Sequence, residues 1–208
     1  MRNTMLSPRV SLSVILLAVV AAGCAKSEQG SADTTAAAAS GAPSSTSDTG
    51  MAGMSSSTMA GMNRGAAKDA DQEFLRMMTD HHQGMIQMGS DAMTKGSTPA
   101  VQGDAHKMHT AQMDEQNKMI GMLKTNYGET TMPMLMPSNK SMMEMMQTKT
   151  GAGYDRAFYE SVIAHHGQAI KMVDDMMPKL TNAEVKKMAQ QMKADQVKEI
   201  AELKKKVK

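Results

Sequence analysis

An internal repeat organises this chain. The stretch that begins at Asp71 recurs from Asp155, 84 positions further on, and superposes Phe74 on Phe158. Each copy carries two adjacent histidines at the same point, and the two pairs account for four of the six histidines. The pairs are His81 with His82 and His165 with His166. A repeat of this kind indicates that one supersecondary unit is used twice in the fold.

Apolar side chains recur at helical spacing through the first copy. Phe74, Met78, His81, Met85 and Met88 follow one another at intervals of four and three residues. This spacing draws a single apolar seam along a helix, which we expect to begin at a capping residue, 69 or 71, and to end near residue 95.

Three further helices are predicted. Thr98 and Pro99 suit the N-cap and first position of a second helix, which ends near residue 125. The third helix repeats the first over residues 155–177, and Thr181 with Glu184 forms a capping box for the fourth. No strand-like alternation appears. The sequence therefore predicts an all-α protein, an antiparallel four-helix bundle built from two repeated helix hairpins. The alternative is two separate hairpins that dimerise or swap between chains. The oligomeric state is therefore left open, and a homo-oligomer is one of the possibilities.

The fourth helix matches the second when Met108 is superposed on Met188, a shift of 80. Gln116 then corresponds to Gln196, so that both glutamines occupy one position in an otherwise apolar seam. A shorter loop between helices would account for the change from 84. Because a buried amide needs partners, we expect Gln116 and Gln196 to hydrogen-bond the non-ligating nitrogens of the histidines. Bonds to the backbone or to each other are the alternative.

Residues 1–23 have the pattern of an export signal. Arg2 and Arg9 precede an apolar run over residues 10–20, and small residues precede Cys24, the only cysteine. The order resembles the lipobox of bacterial lipoproteins, with lipidation of Cys24, although a secretory signal beside a chance cysteine would look similar. The sequence therefore predicts an exported protein of the periplasm or cell envelope, held to the membrane by a lipid anchor only.

Composition divides the rest of the chain. Residues 24–67 are rich in Ser, Ala and Met and predict a disordered tether. Residues 68–208 predict the folded domain, with repeat one over 69–127, a Met-rich connector over 128–153 and repeat two over 154–207. Within the connector, Ser141 and Glu144 form a capping box that predicts a short helix from Ser141. Removal of the leader leaves 21 basic and 21 acidic residues, so the charge favours no nucleic-acid partner. No nucleophile and base constellation or cofactor fingerprint appears, and we expect no enzyme.

The histidine pairs lie among thioethers. The chain has 27 methionines, and Met85 lies one helical turn beyond His81. Neutral imidazole and thioether together favour a soft monovalent ion, copper(I) or silver(I). A di-iron site would need a Glu three residues before each histidine, and a blue-copper site or copper oxidase would need a cysteine ligand. Zinc bound through histidines alone ranks below copper.

Weaker metal sites are predicted outside the pairs. His106 and His109 share one face of the second helix, although a solvated face is the plainer interpretation. Methionines in segments that look flexible have no core to fill and could bind copper weakly, or alternatively scavenge oxidants. They are Met51, Met54, Met59, Met62, Met132, Met134 and Met136.

The doubled pattern Asp-x-x-Phe-x6-His-His-x3-Ile-x-Met, over residues 69–207, resembles family 305 of the domains of unknown function. Members are exported, ferritin-like four-helix bundles that include periplasmic copper-binding proteins. The resemblance implies ligation of the metal by His81, His82, Met88, His165, His166 and Met172. We therefore expect an exported protein that sequesters Cu(I) or transfers it to a partner protein for metal tolerance. A structural or stress-related envelope protein with packed histidines and sacrificial methionines is the alternative.

Overall fold

The computed structural model describes residues 64–130 and 132–208, and every regular element in them is a helix. The helices are α1 (Ala70–Lys95), α2 (Pro99–Tyr127), α3 (Pro137–Gln147), α4 (Gly151–Met176) and α5 (Ala183–Lys206). The predicted all-α class is confirmed. The predicted leader, Cys24 and most of the tether, with Met51, Met54, Met59 and Met62, lie outside the described residues. None of the helices described is long and apolar enough to cross a bilayer.

The helix ends follow local capping chemistry. Asp69 caps α1 by accepting from the Gln72 backbone N–H, and Thr98 caps α2 ahead of a proline in the first turn. α2 ends at Gly128, whose φ of 67° is the left-handed conformation that glycine adopts without strain. The cap of α5 is Asn182, whose side chain accepts from two backbone N–H groups. The predicted cap at Thr181 is therefore wrong by one residue, because the Thr181 hydroxyl bonds elsewhere.

The two hairpins correspond at the same shift of 84 that relates the histidine pairs. α2 begins at residue 99 and α5 at residue 183. Buried residues of α2 also match buried residues of α5 at this shift. The matching pairs are Val101 with Val185, Ala105 with Ala189, Met108 with Met192, Gln112 with Gln196, and Met119 with Leu203. The predicted shift of 80 is therefore wrong, and Gln196 corresponds to Gln112 rather than to Gln116.

Reciprocal polar contacts hold α1 antiparallel to α4. Asp71, at the start of α1, accepts from the backbone N–H and hydroxyl of Thr181, just after α4. Asp155, at the start of α4, accepts in the same way from Ser97, just after α1. Since Asp71 and Asp155 are equivalent in the repeat, as are Ser97 and Thr181, the contacts indicate an approximate two-fold axis between the hairpins.

The connector contains a helix that packs against α1. α3 begins at Pro137, four residues before the predicted start at Ser141. The Asn139 amide donates to the carbonyl of His81 at 3.1 Å, and a Cβ atom placed on Gly84 would lie 2.1 Å from Asn139 Nδ2. This close approach buries Met136 to 2% exposure. Met136 therefore has a core to fill, which corrects the expectation that it lies in flexible chain.

Two apolar clusters occupy the ends of the bundle. Phe74, Leu123 and Met192 belong to the first, with the start of α1 and the end of α4. Phe158 and Leu203 belong to the second, with the opposite ends of those helices. The histidine pairs belong to neither cluster and lie between them along α1 and α4. A polar layer thus interrupts the core at its middle.

Candidate metal centre

The four paired histidines form one buried layer. The exposed fraction is 1% for His81 and 0% for His82, His165 and His166. The rings of His81 and His165 stack with their centroids 3.8 Å apart and their planes inclined at 32°. His82 and His166 lie beside them, with centroids 6.4 Å and 5.9 Å from their sequence neighbours. The repeat therefore builds a single layer around the two-fold axis rather than two separated sites.

Glutamates of α2 and α5 hold the outer rings. Glu115 Oε2 lies 2.9 Å from His82 Nε2 in a hydrogen bond. Glu199, its repeat equivalent, places Oε2 at the same 2.9 Å from His166 Nε2, although this pair is not aligned as a hydrogen bond. A carboxylate can only accept a hydrogen bond, so His82 donates from Nε2 and Nδ1 is the ring nitrogen left for another partner.

One inner ring follows the same rule. His165 Nε2 donates to the carbonyl of His81 at 3.0 Å, which again leaves Nδ1 as the acceptor nitrogen. Neither ring nitrogen of His81 makes a well-aligned hydrogen bond, although the Gln168 side chain lies near enough to interact with the ring. The Nδ1 atoms of all four rings are therefore buried without a partner. Buried polar atoms are nearly always satisfied, so a cluster of unpartnered nitrogens in one layer calls for a ligand.

Burial keeps the inner histidines neutral. Removal from water, together with the neighbouring His82 and His166, lowers the pKa of His81 from 6.5 to about 3. Burial likewise holds the pKa of His165 well below its usual value, with added effects of His81 and His166. Neutral imidazole is the form that binds metals, so these two rings are ready to ligate at any physiological pH.

The predicted thioether ligands flank the layer. Met85 and Met88 are fully buried on the side of Phe158, whereas Met172 is buried at the other end, beside Phe74. No three His, Cys, Asp or Glu side chains in residues 64–130 and 132–208 are grouped so as to hold one ion. The donor chemistry that fits the layer is accordingly imidazole supplemented by thioether, which selects soft ions.

The sequence reasoning missed the two glutamates. It assigned the role of holding the rings to Gln116 and Gln196, but Gln116 Nε2 donates to the Thr79 carbonyl at 3.0 Å and to Gln83 Oε1 at 3.2 Å. The Gln196 amide, although buried, has no hydrogen-bond partner among the described residues. A constant shift of 84 would have paired Glu115 with Glu199 and revealed the repeated carboxylate.

The connector methionines differ in environment. Met132 is 83% exposed and Met134 40% exposed, as expected for chain outside the core. Their backbone is nevertheless fixed: Arg64 donates to the Met132 carbonyl at 2.7 Å, and the Met134 N–H donates to Asp80 at 2.8 Å. Arg64 also pairs with Asp80, the residue before His81, at 2.8 Å. Burial raises the pKa of the Asp80 carboxyl, and the Arg64 guanidinium opposes that shift.

The two histidines of α2 have different partners. His106 is exposed, and its Nδ1 lies 3.4 Å from the Met93 sulfur across the hairpin. His109 instead places Nδ1 at 2.9 Å from the Ile86 carbonyl. The structure thus adds Met93 as a candidate ligand beside His106, and the weak site at His106 and His109 stays a prediction.

Fold and layer together define a small helical-bundle protein with paired, buried histidines and carboxylates behind them. Residues 56–205 match the sequence profile of the family described as "Domain of unknown function (DUF4142)". The match spans more than half of the chain, and the chain belongs to this family.

Solved structures share the fold. CopM in the Cu(I)-bound form is 25% identical, with a TM-score of 0.56 over 65% of this chain and 93% of that chain. CopM in an Ag-bound form obtained by soaking gives 25% and 0.55 over 65% and 92%. A DUF305 fragment from Deinococcus radiodurans is 21% identical, with a TM-score of 0.59 over 68% and 97%. The expected resemblance to family 305 is thus confirmed in the fold. No curated protein matches the chain.

Proposed function

We propose that this chain binds copper as Cu(I), and also Ag(I), within the layer of four buried histidines. The observation that carries the proposal is the set of unpartnered Nδ1 atoms in His81, His82, His165 and His166. Leaving such atoms dry and unpaired costs free energy. Bound ions would lower that cost, since each Nδ1 that coordinates an ion donates its lone pair to it.

The chemistry of the layer favours a soft monovalent ion. The rings of His81 and His165 are neutral, and the buried thioethers of Met85, Met88 and Met172 lie at the two sides of the layer. Thioethers discriminate against calcium and magnesium, which prefer oxygen ligands. Zinc would have to rely on the histidines alone and ranks below copper. Similarity to CopM, crystallised in Cu(I)-, Cu(II)- and Ag-bound forms, supports this choice.

The proposed role is binding and transfer, without turnover, in the cell envelope. The chain would be exported, anchored by a lipid on Cys24, and would sequester Cu(I) or hand it to a partner protein for metal tolerance. Met132 and Met134 are exposed and would serve as weak, exchangeable sites outside the layer. The pair of His106 and Met93 would be another.

An anaerobic titration of Cu(I) against a chromophoric competing chelator tests the proposal. The full chain is expected to bind with sub-micromolar affinity, and the variant in which His81, His82, His165 and His166 are all changed to Asn is expected to lose that binding. Far-UV circular dichroism verifies that the variant folds. The matched control changes the exposed His106 and the half-buried His109 to Asn, and is expected to keep the tight binding.

The same titration separates copper binding from the alternative of an envelope protein with packed histidines and sacrificial methionines. That alternative gives equal affinities for the native chain and the variant lacking the four histidines. A parallel titration with Zn(II) ranks the metals, and tighter zinc than copper binding would contradict the assignment of the cargo.

A further inference from the structure

A groove on the bundle surface leads to the histidine layer. It lies between α2 and α5 and has a volume of about 520 Å³. Three methionines line it, Met122 and Met188 half-buried and Met192 buried. Glu115 also lines it.

Glu115 connects this groove, the α2/α5 groove, to the layer. Its side chain is 24% exposed, while the His82 side chain to which it bonds is 0% exposed. One carboxylate thus faces the groove and holds a buried ring at 2.9 Å. A rotation of the Glu115 side chain would uncover the Nε2 edge of the His82 ring to the groove and free the ring to turn its Nδ1 toward an arriving ion.

The lining of the α2/α5 groove favours soft metal ions through its thioethers and does not attract cations by net charge. Its acidic side chains, Glu115 and Glu184, are balanced by Lys118 and Lys187. No net charge therefore draws cations in, whereas the thioethers offer weak coordination to a soft ion at each step.

The repeat supplies an internal comparison. At the shift that superposes Glu115 on Glu199, the α2/α5 groove has a counterpart, and this second cavity measures only about 30 Å³. Lys206 stands at the position of Met122 and Asp104 at that of Met188. These two side chains form an ion pair across the counterpart groove.

A tyrosine reinforces the closed side. The Tyr159 hydroxyl donates to Asp104 at 2.7 Å, and the Lys206 ammonium lies 5.5 Å from the centroid of the Tyr159 ring. The repeat equivalent of Tyr159 is Leu75, which has no hydroxyl to take part in such a closure. The grooves beside the two carboxylates therefore differ in volume and lining, although Glu115 and Glu199 are similarly exposed, at 24% and 27%.

We propose that the α2/α5 groove is the route by which a soft monovalent metal ion reaches the layer, with Met122, Met188 and Met192 as transient ligands and Glu115 as the gate to His82. This inference rests on the proposed function. It adds a direction of loading. The ion arrives through the wide, methionine-lined groove on the His82 side rather than through the narrow counterpart that the Lys206 and Asp104 ion pair crosses.

Uptake kinetics test the route. Cu(I) is supplied as its bicinchoninate complex, and stopped-flow absorbance follows its transfer to an excess of the metal-free full chain. Changing Met122 and Met188 to Leu keeps the apolar volume and removes the thioethers. Transfer is expected to slow about tenfold, the factor equivalent to about 1.4 kcal/mol, while the equilibrium affinity stays unchanged. The control changes Met142 and Met143 on α3, also half-buried, to Leu and is expected to transfer at the native rate.

A second variant acts on the closed side. Lys206→Met removes the ion pair and places a thioether at the position equivalent to Met122, so transfer is expected to become faster than in the native chain. Native rates in both groove variants, with tight binding intact, would overturn the route and leave the proposed function standing. Absence of saturable Cu(I) binding by the native chain would instead overturn the proposed function, and the route with it.

Discussion

Acid should destabilise the metal-free protein by an amount that the histidine layer sets. Burial lowers the pKa of His81 from 6.5 to about 3, so below pH 6.5 the unfolded chain takes up a proton that the folded chain does not. A folded-state pKa that is depressed in this way leaves stability intact above pH 6.5 and reduces it as the pH falls toward 3. Between pH 8 and pH 5 the loss from His81 alone is about 2 kcal/mol.

Urea denaturation followed by far-UV circular dichroism measures this loss. The free energy of unfolding of the metal-free chain is compared at pH 8 and pH 5 with that of His81→Phe, in which a flat ring keeps the stack on His165. The difference between the two pH values should be smaller in the variant by about 2 kcal/mol. Asp80, whose pKa is raised, acts in the opposite direction but is common to both proteins. An identical pH dependence in the two would refute the reasoning.

Five substitutions probe other contacts. Glu115→Gln or Glu199→Gln should weaken Cu(I) binding about tenfold or more, because a carboxylate behind a ligating histidine orients the ring; chelator competition measures this, and native affinity in both would contradict it. Gly84→Ala should lower the free energy of unfolding by about 1–3 kcal/mol by forcing α3 away from α1. Gly103→Ala, whose Cβ meets nothing within 4 Å, should raise it by about 0.5–1 kcal/mol; equal effects of the two in urea denaturation would argue against the close packing of α3. Asp71→Ala should cost about 2 kcal/mol, since it strands the donors that follow α4; native stability by the same assay would show that this capping contact contributes little.

The sequence predicted the bundle because two independent signals agree. Helical spacing indicated the apolar seams, and the repeat that superposes Asp71 on Asp155 indicated the equivalence of the hairpins. The same signals placed His81 and His165 on the apolar seams, with His82 and His166 bordering them. The spacing of residues in the sequence did not predict how the four histidines are arranged relative to one another. The stacking of His81 on His165 across the two-fold axis depends on the packing between the hairpins.

The errors have one physical origin. A helical seam of methionines repeats every three to four residues, so a slip of one turn replaces Met192 by Met188 opposite Met108 and costs little in apparent similarity. That slip paired Gln116 with Gln196 and hid the equivalence of Glu115 and Glu199. Polar residues fix the register of the repeat alignment where apolar residues do not, since a carboxylate that bonds a buried ring can occupy only one position on its helix.

The start of α3 and the burial of the connector methionines could not be predicted from the sequence for a different reason. α3 is a helix of 11 residues, too short to establish a period, and its position depends on a tertiary contact between Asn139 and Gly84. The burial of Met136 follows from that contact. Composition alone could therefore not distinguish a core methionine from its exposed neighbours Met132 and Met134.

The measurement that tests the central claim most directly is ¹⁵N NMR of the histidine ring nitrogens during titration of the full chain with Ag(I). Binding in the layer predicts large shifts of the Nδ1 resonances of the four buried histidines, while Nδ1 of His109, held at the Ile86 carbonyl, stays in place. Shifts confined to His106 and His109, with the buried rings unchanged up to saturation, would contradict the assignment of the layer as the metal site.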